Sequence, residues 1–146
     1  MDDFLLARVI HVLGVVLWIG GVAFVTTVLL PGMKKVATPG ERVIMFERME
    51  GGFAWQARLT TLVTGASGFY MLYVLDAWER YGDPAYWWLH AMSAIWLIFT
   101  VMLFVLEPLV LHKLFERRAR ANPEGTLAMI QRLHWVLLAA SLITVA

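Results

Sequence analysis

Histidines are the side chains best suited to chemistry in this chain, and three of the four, His11, His90 and His134, fall inside strongly apolar stretches. Holding a polar imidazole among apolar neighbours in lipid is costly unless it ligates, pairs or reaches the interface. His11 lies about seven residues from one end of its stretch, and His90 about four from the matching end of another. At about 1.5 Å of rise per residue, the two differ in depth by only several ångströms. Neutral imidazoles on two helices suit the axial positions of haem b, whose flat ring is held between helices without covalent bonds.

A macrocycle also needs helix backbone nearby without bulky side chains. Gly14 and Gly21 flank the His11 face, and Gly65, Ala66 and Gly68 occupy the corresponding level of the second apolar run, so Gly14, Gly65 and Gly68 would leave a slot. The same glycines equally permit plain close packing of helices. His112 and His134 form a second candidate pair at the inner end. His112 precedes Lys113 at the interface, where an imidazole can be wet, whereas His134 sits deeper and is the better ligand. His11, His90 and His134 together could instead bind copper, since imidazole suits both metals. Apart from Met45 and Met49, the eight methionines show no paired spacing and read as packing.

Glu107 is the one carboxylate inside an apolar run, and Arg58 lies at roughly the same depth, so the two are expected to pair as a structural clamp. With no cysteine, disulfides, thiolate metal sites, iron–sulfur clusters and covalent haem attachment are excluded. No nucleophile–base pair, phosphate loop or zinc-protease helix is present, which argues against hydrolysis and nucleotide chemistry.

The elements that must position these side chains follow from composition and charge. Sixty per cent of the 146 residues are hydrophobic and 16 per cent charged; soluble domains average about 45–50 and about 25 per cent. Four apolar runs, about 4–30, 54–75, 86–111 and 127–146, approach the roughly 20 residues needed to cross a bilayer. The expectation is an all-α integral membrane four-helix bundle in a single transmembrane domain. The segment 40–50 reads as a short interfacial helix, with Val43, Ile44, Phe46 and Met49 on one face and Gly51-Gly52 breaking it before the second span. Asn122-Pro123 followed by Glu124 marks the turn into the fourth helix.

Lys34, Lys35, Arg42 and Arg48 separate the first and second runs, and Lys113, Arg117, Arg118 and Arg120 separate the third and fourth. Arg80 stands alone among acids between the second and third. Both basic loops should face the cytoplasm, giving an N-out/C-out topology with Trp and Tyr at the span ends. The acidic start of the chain and the length of the first run argue that it is retained as a helix rather than cleaved as a signal, and the apolar stop at Ala146 suggests that the natural chain continues slightly. The net charge of +1 is sorted by loop and forms no basic stripe for nucleic acid.

At HVLGVVLWIGG (11–21), WWLHAMSAIW (87–96) and QRLHWVLL (131–138), the chain resembles the copper-resistance D (CopD)-like bacterial membrane proteins, over nearly its whole length. The layout is also similar to that of the HemJ-type protoporphyrinogen oxidases, which the comparison implies are haem b proteins. In those enzymes the first-helix histidine and a Trp-Leu-His-x-Lys stretch are the functional positions. His11 and Trp88-Leu89-His90 match, and Met92 stands where they carry the lysine.

The resemblance and the residues together lead to the expectation of a b-type cytochrome-like protein of the bacterial inner membrane, a membrane oxidoreductase or electron-transfer protein with His11 and His90 as axial ligands. His134 would assist or hold a second haem. The alternatives are a CopD-like protein that passes copper ions, and a cofactor-free accessory subunit of a respiratory complex. The partners expected are the lipid bilayer, a respiratory or redox protein and further copies of the chain in a homo-oligomer.

Overall fold

The computed structural model describes residues 3–36, 38–111, 117–118 and 121–146; His112, Lys113 and Arg120 lie outside them. Among the described residues every regular element is helical. Helix α1 (Asp3–Phe24) runs through a π-helical turn at Val25–Leu29 into α2 (Leu30–Val36). Helix α3 spans Pro39–Val74. Short 3-10 turns at Trp78–Gly82 and Pro84–Tyr86 lead to α4 (Trp87–Val101), which continues as a π-helical segment, Met102–Leu111, and α5 covers Pro123–Val145.

Helix starts follow their local chemistry. Thr38 precedes Pro39, and its backbone N–H donates to Glu41 Oε2 at 2.9 Å while its hydroxyl donates to the same oxygen at 2.6 Å. These two bonds hold the exposed Glu41 carboxyl below its ordinary range. Asn122 accepts from the Gly125 N–H at 2.8 Å ahead of Pro123, and Asp83 accepts from the Ala85 N–H at 2.8 Å ahead of Pro84.

The expected break at Gly51-Gly52 does not occur. The segment 40–50 and the second apolar run form one 36-residue helix, α3. Neither glycine has a positive φ, and neither meets another group within 4 Å of where a Cβ would stand. Each costs a helix only about 0.5–1 kcal/mol, too little to interrupt a ladder propagated from both sides.

Three stretches are long and apolar enough to cross a membrane: Asp3–Lys35, Pro84–Leu109 and Pro123–Val145. Helix α3, expected to span over 54–75, is not among them: it carries Gln56 and Arg58, and its inward face is hydroxylated. Thr60, Thr61, Thr64 and Ser67 are buried there, alongside Ala54 and Ala57, and α3 makes its most extensive contact with α1. Thr60 and Ser67 return their hydroxyl protons to carbonyls one turn back, at 2.9 Å to Gln56 and 2.6 Å to Val63, so small polar residues pack without leaving those donors unpaired.

The bundle centre is apolar: Trp18, Val22, Phe99, Leu137 and Leu138 pack together, with Trp18 and Phe99 edge to face at 4.9 Å. Outside, the distribution is the reverse of a water-soluble domain. Leu5, Leu13, Val16, Leu97, Val136 and Ile143 are exposed, while among the described residues the side chains buried most completely include Thr26, Thr61, Thr126 and Ser141. An apolar exterior of this extent requires an apolar surrounding.

The two π-helical segments are stapled from neighbouring helices. The Thr26 carbonyl accepts from Gln131 Nε2 on α5 at 2.8 Å. In the second segment the i→i+5 pattern would bring the N–H of residue 108 to the Leu103 carbonyl, but residue 108 is proline and has none. Arg58 Nε donates to that carbonyl instead, at 3.0 Å. Its Nη2 lies 3.1 Å from Glu107 Oε2, an ion pair without the alignment of a directed hydrogen bond. The expected Arg58–Glu107 clamp is thus formed, and it also replaces the donor that Pro108 removes.

Candidate functional site

A cleft of about 370 Å³ opens in the half of the bundle that holds the 3-10 turns, between α1, α3, α4 and the end of α5. Its size falls within the range of small-molecule and cofactor sites, about 300–1,000 Å³. His11 enters it from α1, Gly68 and Met71 from α3, Met92 and Trp96 from α4, and Arg8 and Arg80 stand toward the end that carries the 3-10 turns.

The orientation of His11 is set by α3. Its Nδ1 is 2.9 Å from the Thr64 carbonyl and 3.2 Å from Ser67 Oγ. A carbonyl only accepts, so Nδ1 carries the proton and Nε2 keeps its lone pair. Thr64 and Ser67 lie one turn apart on α3, and the ring rests against Gly68, where a Cβ would come within 3.1 Å of it. An imidazole with Nδ1–H bound to a backbone carbonyl and a free Nε2 is the usual arrangement of a metal-ligating histidine.

His90 is not brought to this cleft. It is exposed, its Nε2 donates to the Tyr81 carbonyl at 3.0 Å, its Nδ1 lies 3.3 Å from the Tyr86 carbonyl, and its ring packs edge to face on Tyr81. The reason is angular. The cleft face of α4 carries Trp88, Leu89, Met92, Ser93 and Trp96, and two residues at about 100° each put His90 roughly 160° around the helix from Met92. Spacing along the chain was legible in the sequence; azimuth was not.

His134 belongs to a different place. Its Nδ1 donates to the Ile130 carbonyl at 2.9 Å, its ring meets Phe46 edge to face, and it lines a smaller apolar cavity of about 80 Å³ with Glu107. His112 lies outside the described residues. Among the described residues no three His, Cys, Asp or Glu side chains gather as a metal-binding group, so the His11, His90 and His134 set is dispersed.

The glycines seat side chains rather than open a slot. A Cβ on Gly14 would collide with Thr64 Oγ1, one on Gly65 with the Trp96 indole, and one on Gly68 would press on His11. Trp96 is fixed in turn by its Nε1–H, which donates to the Thr61 carbonyl at 2.9 Å. Gly14 and Gly65 therefore let α1 and α4 approach α3, and Gly68 gives the His11 ring its bed.

Arg8 was not named from the sequence, and Met92 and Arg80 were named there only as the residue in place of a lysine and as a loop charge, not as parts of a site. Arg8 was accessible to helical spacing, since it precedes His11 by three residues and shares its face. Met92 becomes visible only once α4 has been rotated into place. No family model, curated protein or solved structure matches the chain.

The cleft thus presents two side-chain types of the kind that ligate haem iron, an imidazole and a thioether. The imidazole keeps the lone pair of its Nε2, the thioether stands on the α4 wall, the lining is otherwise mostly apolar, and the two cations stand at the end that carries the 3-10 turns.

Proposed function

We propose that this chain is a b-type cytochrome-like protein of the bacterial inner membrane, a four-helix bundle with both termini outside and haem b bound in the outer cleft. The observation that carries the proposal is the His11 imidazole, which lines an apolar cleft and is fixed through Nδ1 by the Thr64 carbonyl, so that Nε2 keeps its lone pair. The likeness of 11–21 and 87–96 to the CopD-like and HemJ-type proteins supports it. Dispersal of His90 and His134 removes the support that copper coordination would need, whereas haem requires only one or two axial side chains.

Haem b would supply one-electron transfer at its iron. His11 would hold the haem iron through Nε2, with Thr64 and Ser67 fixing the plane and tautomer of its ring. The thioether of Met92 is the second donor available, on the α4 wall. Apolar walls from Trp18, Phe69, Leu72, Leu89 and Ile95 would keep water from the site and hold the charge of the oxidised state in a low dielectric.

The test is the absorption spectrum of the purified protein before and after dithionite. A Soret band that sharpens and shifts on reduction is expected, His11→Ala should remove most of it, and His90→Ala should leave it nearly intact. Wild-type protein without a Soret band, even after reconstitution with haem, would overturn the proposal.

A further inference from the structure

The cleft has a charged end. Arg8 and Arg80 both line it, and no aspartate or glutamate does. Among the described residues neither guanidinium has a carboxylate partner, since the ion pair formed is Arg58–Glu107 at the other end of the bundle. Arg80 is held over the Tyr86 ring at 5.3 Å from its centroid, which steadies the cation without neutralising it. Arg8 precedes His11 by three residues on the same face, one turn farther out, roughly 4.5 Å along the axis.

Two unneutralised guanidiniums beside an apolar cleft select a particular kind of occupant. A wholly apolar ligand would leave both cations unused, and a small anion would leave the apolar walls unfilled. We infer that the cleft recognises a flat amphiphile whose apolar body lies at the level of His11 and whose outward edge carries carboxylates paired with Arg8 and Arg80. This rests on the haem reading above and deepens it: the occupant is a dicarboxylate tetrapyrrole, inserted body first with its acidic edge facing the outer surface. Guanidinium–carboxylate pairing is charge-assisted and often bidentate, so it fixes direction as well as strength.

The test compares haem b with its dimethyl ester, which keeps the macrocycle and iron and loses both negative charges. Purified haem-depleted protein is titrated with each in neutral detergent, read by the Soret change and tryptophan quenching. Wild-type protein should bind haem b about tenfold or more tightly than the ester. In the Arg8→Gln/Arg80→Gln double variant, haem affinity should fall to that of the ester while ester affinity stays constant, which also shows that the variant is folded. Restoring lysine at both positions should recover part of the preference. Equal affinity of wild-type protein for the two ligands, or a preference that survives the double substitution, overturns the inference and leaves the haem reading intact; binding of neither ligand removes both. Repeating the titration in phosphatidylcholine nanodiscs with and without phosphatidylglycerol separates porphyrin carboxylates from lipid phosphate. Loss of the preference when phosphatidylglycerol is present would assign the arginines to the lipid.

Discussion

At His11 a single hydrogen bond decides what the side chain can do. Donation from Nδ1 to the Thr64 carbonyl leaves Nε2 basic, while His90 spends its Nε2–H on the Tyr81 carbonyl. Two histidines in similarly apolar stretches of sequence thus differ in what their ring nitrogens are left to do. Met92 gives the matching prediction on the facing helix. In haem-loaded protein, Met92→Leu should convert a six-coordinate low-spin spectrum into a five-coordinate high-spin one and lower the midpoint potential, because an axial thioether raises it. Met71→Leu, at the other methionine of the cleft, should change neither. A low-spin spectrum persisting in Met92→Leu would exclude the thioether from the coordination sphere.

Helices here are interrupted where a neighbour can repair the backbone, and not where composition alone suggests. Gly51-Gly52 reads as a breaker, yet α3 passes through it, since two modest propensity costs cannot outweigh a long ladder. Pro108 does disturb its helix, and Arg58 supplies the donor it lacks. The pairing of Arg58 with Glu107 was expected from their similar depth; the bond to the Leu103 carbonyl was not, because it depends on the local switch to i→i+5 spacing. Unfolding in detergent provides the check, through a double-mutant cycle. Pro108→Ala restores an N–H for Leu103, so Arg58→Leu should cost less in that background than in the wild type, by about 1 kcal/mol. Additive effects would mean that Arg58 acts through Glu107 alone.

Over the whole molecule, charge and polarity are segregated along the bundle axis. Lys34 and Arg42 of the first basic loop meet Glu124 at the start of α5 around one cavity, so the two basic connections share one end. Arg80, Asp76, Glu79 and Asp83 occupy the connection between α3 and α4. The proposed orientation follows from that asymmetry. A reporter enzyme active only outside the cytoplasm should be active when inserted among residues 76–83 and inactive within 112–122. The opposite pattern would invert the topology and place the cleft on the cytoplasmic side.

Hydropathy and the rarity of intramembrane polar groups were enough to give an all-helical chain, three of whose apolar stretches are long enough to cross a membrane, and the Arg58–Glu107 pair, because these depend on position along the chain, which one-dimensional spacing preserves. The distribution of His90, His134 and Met92 among separate surfaces depended on the rotation of each helix about its own axis. That rotation is set by packing: Thr64 into Gly14, Trp96 into Gly65 and His11 onto Gly68. Such contacts join residues distant in sequence. A turn of roughly 160° exchanges one α4 side chain for another in the cleft without altering hydropathy at all.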